Sequence, residues 1–201
     1  MQRPTLVTAP VVEPLTVAEA KNHLRVEHNS EDDGIEALIA SARSYAERVT
    51  GRQLITATWR IKLNRFPCGY LEAIEIPIAP LLTVVSVKYR DPADVLQTLA
   101  TSEYVVDAPA GPYATTGRVY LALNKSWPAI AYRPDAVEVE FTAGYGPAAV
   151  NVPEELRQAL LLLIEHWYGN RSAASEIDFK TVPFAAESLL SSFTRVAGLI
   201  R

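Results

Sequence analysis

The sequence predicts an α+β fold: a small helical bundle of two N-terminal helices plus one C-terminal helix, with an inserted antiparallel β-region and an extended C-terminal tail. Three observations predict it. Residues 14–54 carry two capped segments whose apolar side chains recur every three or four positions. At Ile55 the period falls to two, and short alternating runs broken by Pro and Gly continue to about residue 143. Helical spacing then returns at Pro153. The organisation that follows is an arm over 1–13, a bundle split between 14–54 and 151–170, a β-rich insertion over 55–150, and a tail over 171–201.

The arm contains Pro and Val without a clear period and reads as extended. The first helix, about Thr16 to Arg25, opens with Thr16 as N-cap and Glu19 placed to reach back to the cap's own amide. A second helix start is expected at Ser30, with Glu31, Asp32 and Asp33 in the first turn, where the helix dipole favours negative charge. That helix presents Ile35, Leu38, Ile39, Ala42, Tyr45, Ala46 and Val49 as one apolar stripe, and Gly51 closes it. Arg43, Glu47 and Arg48 fall off the stripe and read as solvated.

In the β-region, Ile55, Ala57, Trp59, Ile61 and Leu63 alternate with Thr56, Thr58, Arg60 and Lys62, a half-buried strand. Further strands are expected at about 81–90, 103–107, 117–123 and 136–143. The last is the clearest, with Val137, Val139, Phe141 and Ala143 on one face and Glu138, Glu140 and Thr142 on the other. Pro153, Glu154 and Glu155 open the third helix, whose apolar face is Leu156, Leu160, Leu163, Ile164 and Trp167; Gly169 ends it. The tail holds at most one short helix, near 184–191. The first two helices cannot bury their stripes on each other alone, so the third is their natural partner and the β-region is an insertion between them.

The chain has 201 residues, enough to bury a substantial core, and 49% are apolar, which excludes a disordered segment. Its net charge of −4 comes without any Lys/Arg cluster, which argues against a grip on DNA phosphates. No run approaches the roughly 18–20 apolar residues of a membrane span, and the N-terminus lacks the pattern of a secretory signal. A lone cysteine, Cys68, suits a reducing cytoplasm.

No group of residues has the spacing of a catalytic, cofactor or metal site. His23, Glu27 and His28 come nearest to a metal cluster, but two histidines five apart do not share a helix face. His166 reads as a packed or half-exposed helix residue, and Cys68 has neither a base nor an electropositive neighbour to activate it. Gly144-Tyr145-Gly146 is too short for a phosphate loop. The apolar tail differs. Val182, Phe184, Leu189, Leu190 and Phe193 are costly to leave in water, so they fold back on the chain's own core or dock on a partner.

Several of these motifs, in order, resemble the head–tail connector (adaptor) proteins of long-tailed phages, prophages and gene transfer agents. They are Pro14-Leu15-Thr16-Val17-Ala18-Glu19-Ala20-Lys21, His23-Leu24-Arg25-Val26 and Glu31-Asp32-Asp33. The match continues through Ile35-Glu36-Ala37-Leu38-Ile39, Tyr45-Ala46-Glu47 and Thr50-Gly51-Arg52-Gln53-Leu54-Ile55. It resumes at Val152-Pro153-Glu154-Glu155-Leu156-Arg157-Gln158-Ala159, His166-Trp167-Tyr168 and Val182-Pro183. The resemblance covers the two ends, while 67–150 matches only as a β-rich insertion in a similar position.

The resemblance implies a structural, non-enzymatic protein at the head–tail interface of a virion or phage-like particle, made in the bacterial cytoplasm. Its copies would form a homo-oligomeric ring of about 12 beneath the portal protein. The ring would face a head–tail joining (stopper) protein and continue the DNA channel without specific binding; no cofactor and no membrane are implied. The C-terminal segment reaches the portal in this family, so Val182, Phe184, Leu189, Leu190 and Phe193 are the expected portal contacts. Two rivals stand beside it. A ligand-binding β-module would line one groove with Trp127, Tyr132 and Tyr145; a hydrolase would unite His23 or His166 with carboxylates in a cleft.

Overall fold

The computed structural model describes residues 4–69, 72–170 and 183–194, and the chain divides into two compact units. One comprises Met1–Pro10 and Thr56–Gly144, the other Val11–Ile55 and Tyr145–Arg201.

Among its described residues the first unit is built of β-strands, with one short 3-10 turn at Thr101–Glu103. Its strands are Thr5–Thr8 (β1), Ala57–Leu63 (β2), Ile74–Glu75 (β3), Leu81–Arg90 (β4), Leu96–Thr98 (β5), Tyr104–Asp107 (β6), Arg118–Leu121 (β7) and Val137–Ala143 (β8). They form a five-stranded sheet in the order β1-β2-β8-β4-β5 and a three-stranded sheet in the order β3-β7-β6. Every pairing is antiparallel. The arm therefore contributes an edge strand rather than an unpaired extension, with Thr5 opposite Arg60.

The alternation along β8 sets the register. Val137, Val139, Phe141 and Ala143 are fully buried, opposite Leu63, Ile61, Trp59 and Ala57 of β2. A slip of one residue would put all four in water, so the buried face fixes the pairing. They share one core with Ile74, Ile76, Tyr104 and Val119 of the second sheet's strands and flanks. Each fully buried side chain of this size stabilises by about 1.5–3 kcal/mol. On the opposite face Arg60 bridges Glu138 at 3.1 Å and Glu140 at 2.7 Å, a cross-strand pairing of unlike charges. Gly117 is required by packing: a Cβ there would lie 2.2 Å from Leu81 Cδ2.

Among the described residues the second unit has the α-helices Val17–Leu24 (α1), Asp32–Thr50 (α2), Glu154–Gly169 (α3) and Phe184–Ser191 (α4). The reciprocal cap at α1 is present. Glu19 N–H donates to Thr16 Oγ1 at 3.1 Å, and Thr16 N–H donates to Glu19 Oε2 at 2.8 Å. Arg25 ends α1 and Gly51 ends α2 in the left-handed region. Ile35, Ile39, Ala42 and Ala46 of α2 and Leu156, Leu160, Leu163 and Ile164 of α3 form the core.

Four expectations need correction here. The α2 cap falls on Glu31 without a side-chain cap bond, because the Ser30 hydroxyl is taken by His28 Nδ1 at 2.9 Å. Val49 sits at the rim of the stripe and is exposed. Arg43 and Glu47 are not simply solvated: Arg43 binds Glu13 at 2.7 Å and Glu47 at 3.1 Å, both largely screened from water. The bundle also has a second C-terminal helix. Ala186, Leu190 and Phe193 complete its core, so 184–194 packs as part of the unit instead of extending from it.

Candidate assembly surface

One open cleft of the helical unit, about 240 Å³, is lined by Leu15, Glu19, Asn22, His23, Glu154, Arg157 and Leu161. It brings His23 beside carboxylates, the arrangement a hydrolase would need, and His23 Nε2 also lies 3.1 Å from Glu165 Oε2. The carboxylates are already committed. Glu19 closes the cap and pairs with Arg157, which also binds Glu154 at 3.0 Å and the Pro14 carbonyl at 3.2 Å. The Thr16 backbone bond, helped by the Thr16 hydroxyl and Arg157, holds the Glu19 carboxyl below the usual glutamate range. An ionised, doubly engaged carboxylate is a poor general acid, and no serine, threonine or cysteine lines the cleft to act as nucleophile.

The other residues with chemical potential are equally placed by structure. Among the described residues no three His, Cys, Asp or Glu side chains converge to hold a metal ion. Cys68 is exposed, and its N–H donates to Glu72 Oε2 at 3.1 Å. His166 is half-buried, with Asn170 Nδ2 3.4 Å from its Nδ1. Of the three aromatics of the ligand-binding alternative, Trp127 and Tyr132 belong to the β-unit and Tyr145 to the helical unit. Trp127 stacks on Phe66 with ring centroids 4.6 Å apart, and Tyr145 packs on the helical core. Tyr132 is fully exposed beside Arg65, Ile130 and Arg133, where Arg133 is held bidentately by Asp94 at 2.8 and 3.0 Å.

What remains on the surface is material for packing against other proteins. Phe184, at the start of α4, is 85% exposed, and Leu189 is half-buried on the same helix. Leu190 and Phe193 are 1% exposed, since their helix-period spacing turns them into the core with α2 and α3. Val182 lies outside the described residues. Sequence reading missed Val11, 94% exposed, and Val150, 83% exposed, both in short stretches between prolines where no period marks them. It also missed Thr50, Arg52 and Gln53, which are buried although their residue types are usually solvated. Among the described residues no helix is long and apolar enough to cross a membrane.

A search of curated protein sequences finds no match. Residues 14–93 match the family model described as phage gp6-like head–tail connector protein. The fold is similar to a chain in the neck of an empty gene transfer agent particle computed with C6 symmetry. That likeness has a TM-score of 0.78 and 27% identity, covering 98% of both chains. A chain of the virion of a native gene transfer agent particle matches with a TM-score of 0.77 and 27% identity over 97% of both. One in the neck of the native particle computed with C12 symmetry matches with a TM-score of 0.74 and 26% identity over 98% of both. Over residues 14–93 by sequence this chain resembles phage gp6-like head–tail connector proteins, and over nearly its whole length by fold it resembles chains of gene transfer agent particles.

Proposed function

We propose that this chain is a structural head–tail connector in the neck of a phage-like particle, where it performs no chemistry and joins other proteins by shape. The observation that carries this reading is the near-complete overlap, in both directions, with chains of gene transfer agent particles. A family-model match over α1, α2 and the strands that follow supports it independently. The committed carboxylates and the absent nucleophile in the helical cleft fit a non-enzymatic role.

In finer detail, copies stand side by side as a ring of 12 under the portal, face a stopper protein below, and continue the DNA channel. The C6 and C12 symmetries of the relatives' necks support such a ring. Helices α1 to α4 form its body. Phe184, Leu189 and Val182 make the portal contacts, with Phe184 the most exposed of the described two. A net charge of −4 without a basic cluster lets duplex DNA slide past instead of being gripped.

The test is reconstitution. Purified chain is mixed with portal rings from the same particle and imaged by electron microscopy. A second ring stacked on the portal is the expected result, whether the free chain is monomeric or not. Portal rings that stay bare at saturating chain overturn the reading. Duplex DNA binding at low salt is expected to be weak, and tight, steeply salt-dependent binding counts against the channel role.

A further inference from the structure

Thr50, Arg52 and Gln53, the buried polar and charged side chains of the described residues, lie together at the corner where α2 ends. Two of them act locally. Thr50 Oγ1 donates to the Ala46 carbonyl at 2.7 Å, and Gln53 Nε2 donates to Glu47 Oε1 at 2.6 Å. Arg52 reaches far along the chain instead. Its Nε–H donates to the Phe193 carbonyl at 2.8 Å and its Nη1–H to the Tyr145 hydroxyl at 3.2 Å. The guanidinium also sits 5.8 Å from the centre of the Phe193 ring.

A guanidinium only 5% exposed is costly to desolvate, and the partners described for it are a carbonyl, a phenol and a ring rather than a carboxylate. Generic packing would be served better by an aliphatic side chain. The backbone around Arg52 is also held on both sides. Gly51 turns the chain in the left-handed region, and the Glu47 carboxylate receives Gln53 and the Leu54 N–H. The corner is built to aim one cation at one place.

We infer that Arg52 is a positioning residue for the C-terminal helix, fastening the end of α4 to the corner after α2 and fixing how α4 presents its outer face. Burial of Ala186, Leu190 and Phe193 attracts α4 to the core but is non-directional. The planar fork of Arg52 supplies direction, since two N–H groups must meet two acceptors at set angles. Lysine, a point charge, cannot satisfy both and stack on Phe193 as well. The consequence for assembly rests on the proposed function: a pre-aimed segment reaches the portal without losing further conformational entropy on binding.

The experiment uses the full chain as Arg52→Lys and Arg52→Met, read by hydrogen exchange over 183–194 and by co-sedimentation with portal rings. Loss of a charged hydrogen bond predicts exchange in 183–194 faster by about 10- to 100-fold, with α3 and β8 amides unchanged and portal retention reduced. Wild-type exchange over 183–194 in Arg52→Lys overturns the inference. So does acceleration spread equally over α3, which would mark general destabilisation. Should Arg52→Met fail to fold, Arg52→Lys, which keeps charge and most of the volume, decides alone. Faster exchange with undiminished portal retention leaves the clamp standing and removes the portal-directed role of this segment.

Discussion

The Glu47 carboxylate receives the backbone N–H of Leu54 at 3.0 Å, tying the last turn of α2 to the segment beyond its glycine cap. The same carboxylate takes Gln53 Nε2 at 2.6 Å and Arg43 at 3.1 Å, and Arg43 continues to Glu13 at 2.7 Å. Glu47 and Arg43 together thus join three parts of the helical unit, α2, the segment after its cap and the stretch before α1, up to 41 positions apart from Glu13 to Leu54.

Replacing Glu47 with Ala leaves Arg43 half-paired and the Leu54 N–H without its acceptor, so a loss of about 2–4 kcal/mol is expected in urea unfolding. Glu47→Gln keeps one acceptor oxygen and costs less. The two carboxyls of this unit also differ in sign. Burial pushes the Glu47 carboxyl up, against the Leu54 amide and Arg43. A raised folded value means the folded state binds the proton more tightly, so this contribution is greatest below the ordinary glutamate value and is lost as pH rises through the raised one. Between those values wild-type should lose stability relative to Glu47→Gln; parallel curves would disprove the assignment.

Thr16 and Glu19 act in the opposite direction. Their reciprocal bonds lower the Glu19 carboxyl, so the cap's contribution is present above the ordinary glutamate value and disappears as pH falls through the lowered one. Thr16→Ala is expected to cost about 1 kcal/mol at neutral pH. The difference from wild-type should shrink on acidification. A constant difference down to the acid transition would show that the cap does not depend on the Glu19 charge.

Gly117→Ala tests the β-unit. The new Cβ would meet Leu81 Cδ2 at 2.2 Å and Leu81 Cβ at 2.6 Å, while the Gly117 carbonyl must keep accepting from Ile76 N–H at 2.9 Å. Overpacking of this kind costs about 1–3 kcal/mol. Leu81→Ala in the same chain should recover only part of that, because the Cβ contact survives. Thermal unfolding of the two variants and their combination measures it, and strict additivity would refute the contact.

These cases also mark where sequence reading succeeds. Thr16 and Glu19 stand three apart, and the inward residues of β8 alternate over one uninterrupted strand, so local spacing carries their roles. Arg43 and Glu47 stand four apart, also neighbours on one helix face, yet their burial comes from Glu13 and Leu54, which no helix period reveals. The strands β1, β3 and β5 are four residues or fewer and exist through their partners, beyond the reach of a period-two signal. In the proposed surface, an apolar tail was legible as a set of residues. Which of them turn inward depended on where α4 docks, and that is a tertiary fact.

Docking of α4 changes how the portal contact must be tested. Removing everything after Ser175 would take Ala186, Leu190 and Phe193 out of the core, so lost portal binding would then report a damaged fold. Phe184 separates the two effects. At 85% exposure its ring contributes little to the folded chain, and Phe184→Ser is expected to move stability by no more than about 0.5 kcal/mol. Aromatic side chains dominate the energetics of protein interfaces, and truncating a central one costs at least about 2 kcal/mol, roughly a thirtyfold drop in affinity. Co-sedimentation with portal rings across a concentration series reads that drop directly. Leu189→Ser, half-buried, should lose both stability and binding. Unchanged portal affinity in Phe184→Ser would move the contact elsewhere, with Val11 and Val150, the other strongly exposed apolar side chains of the helical unit, next to substitute.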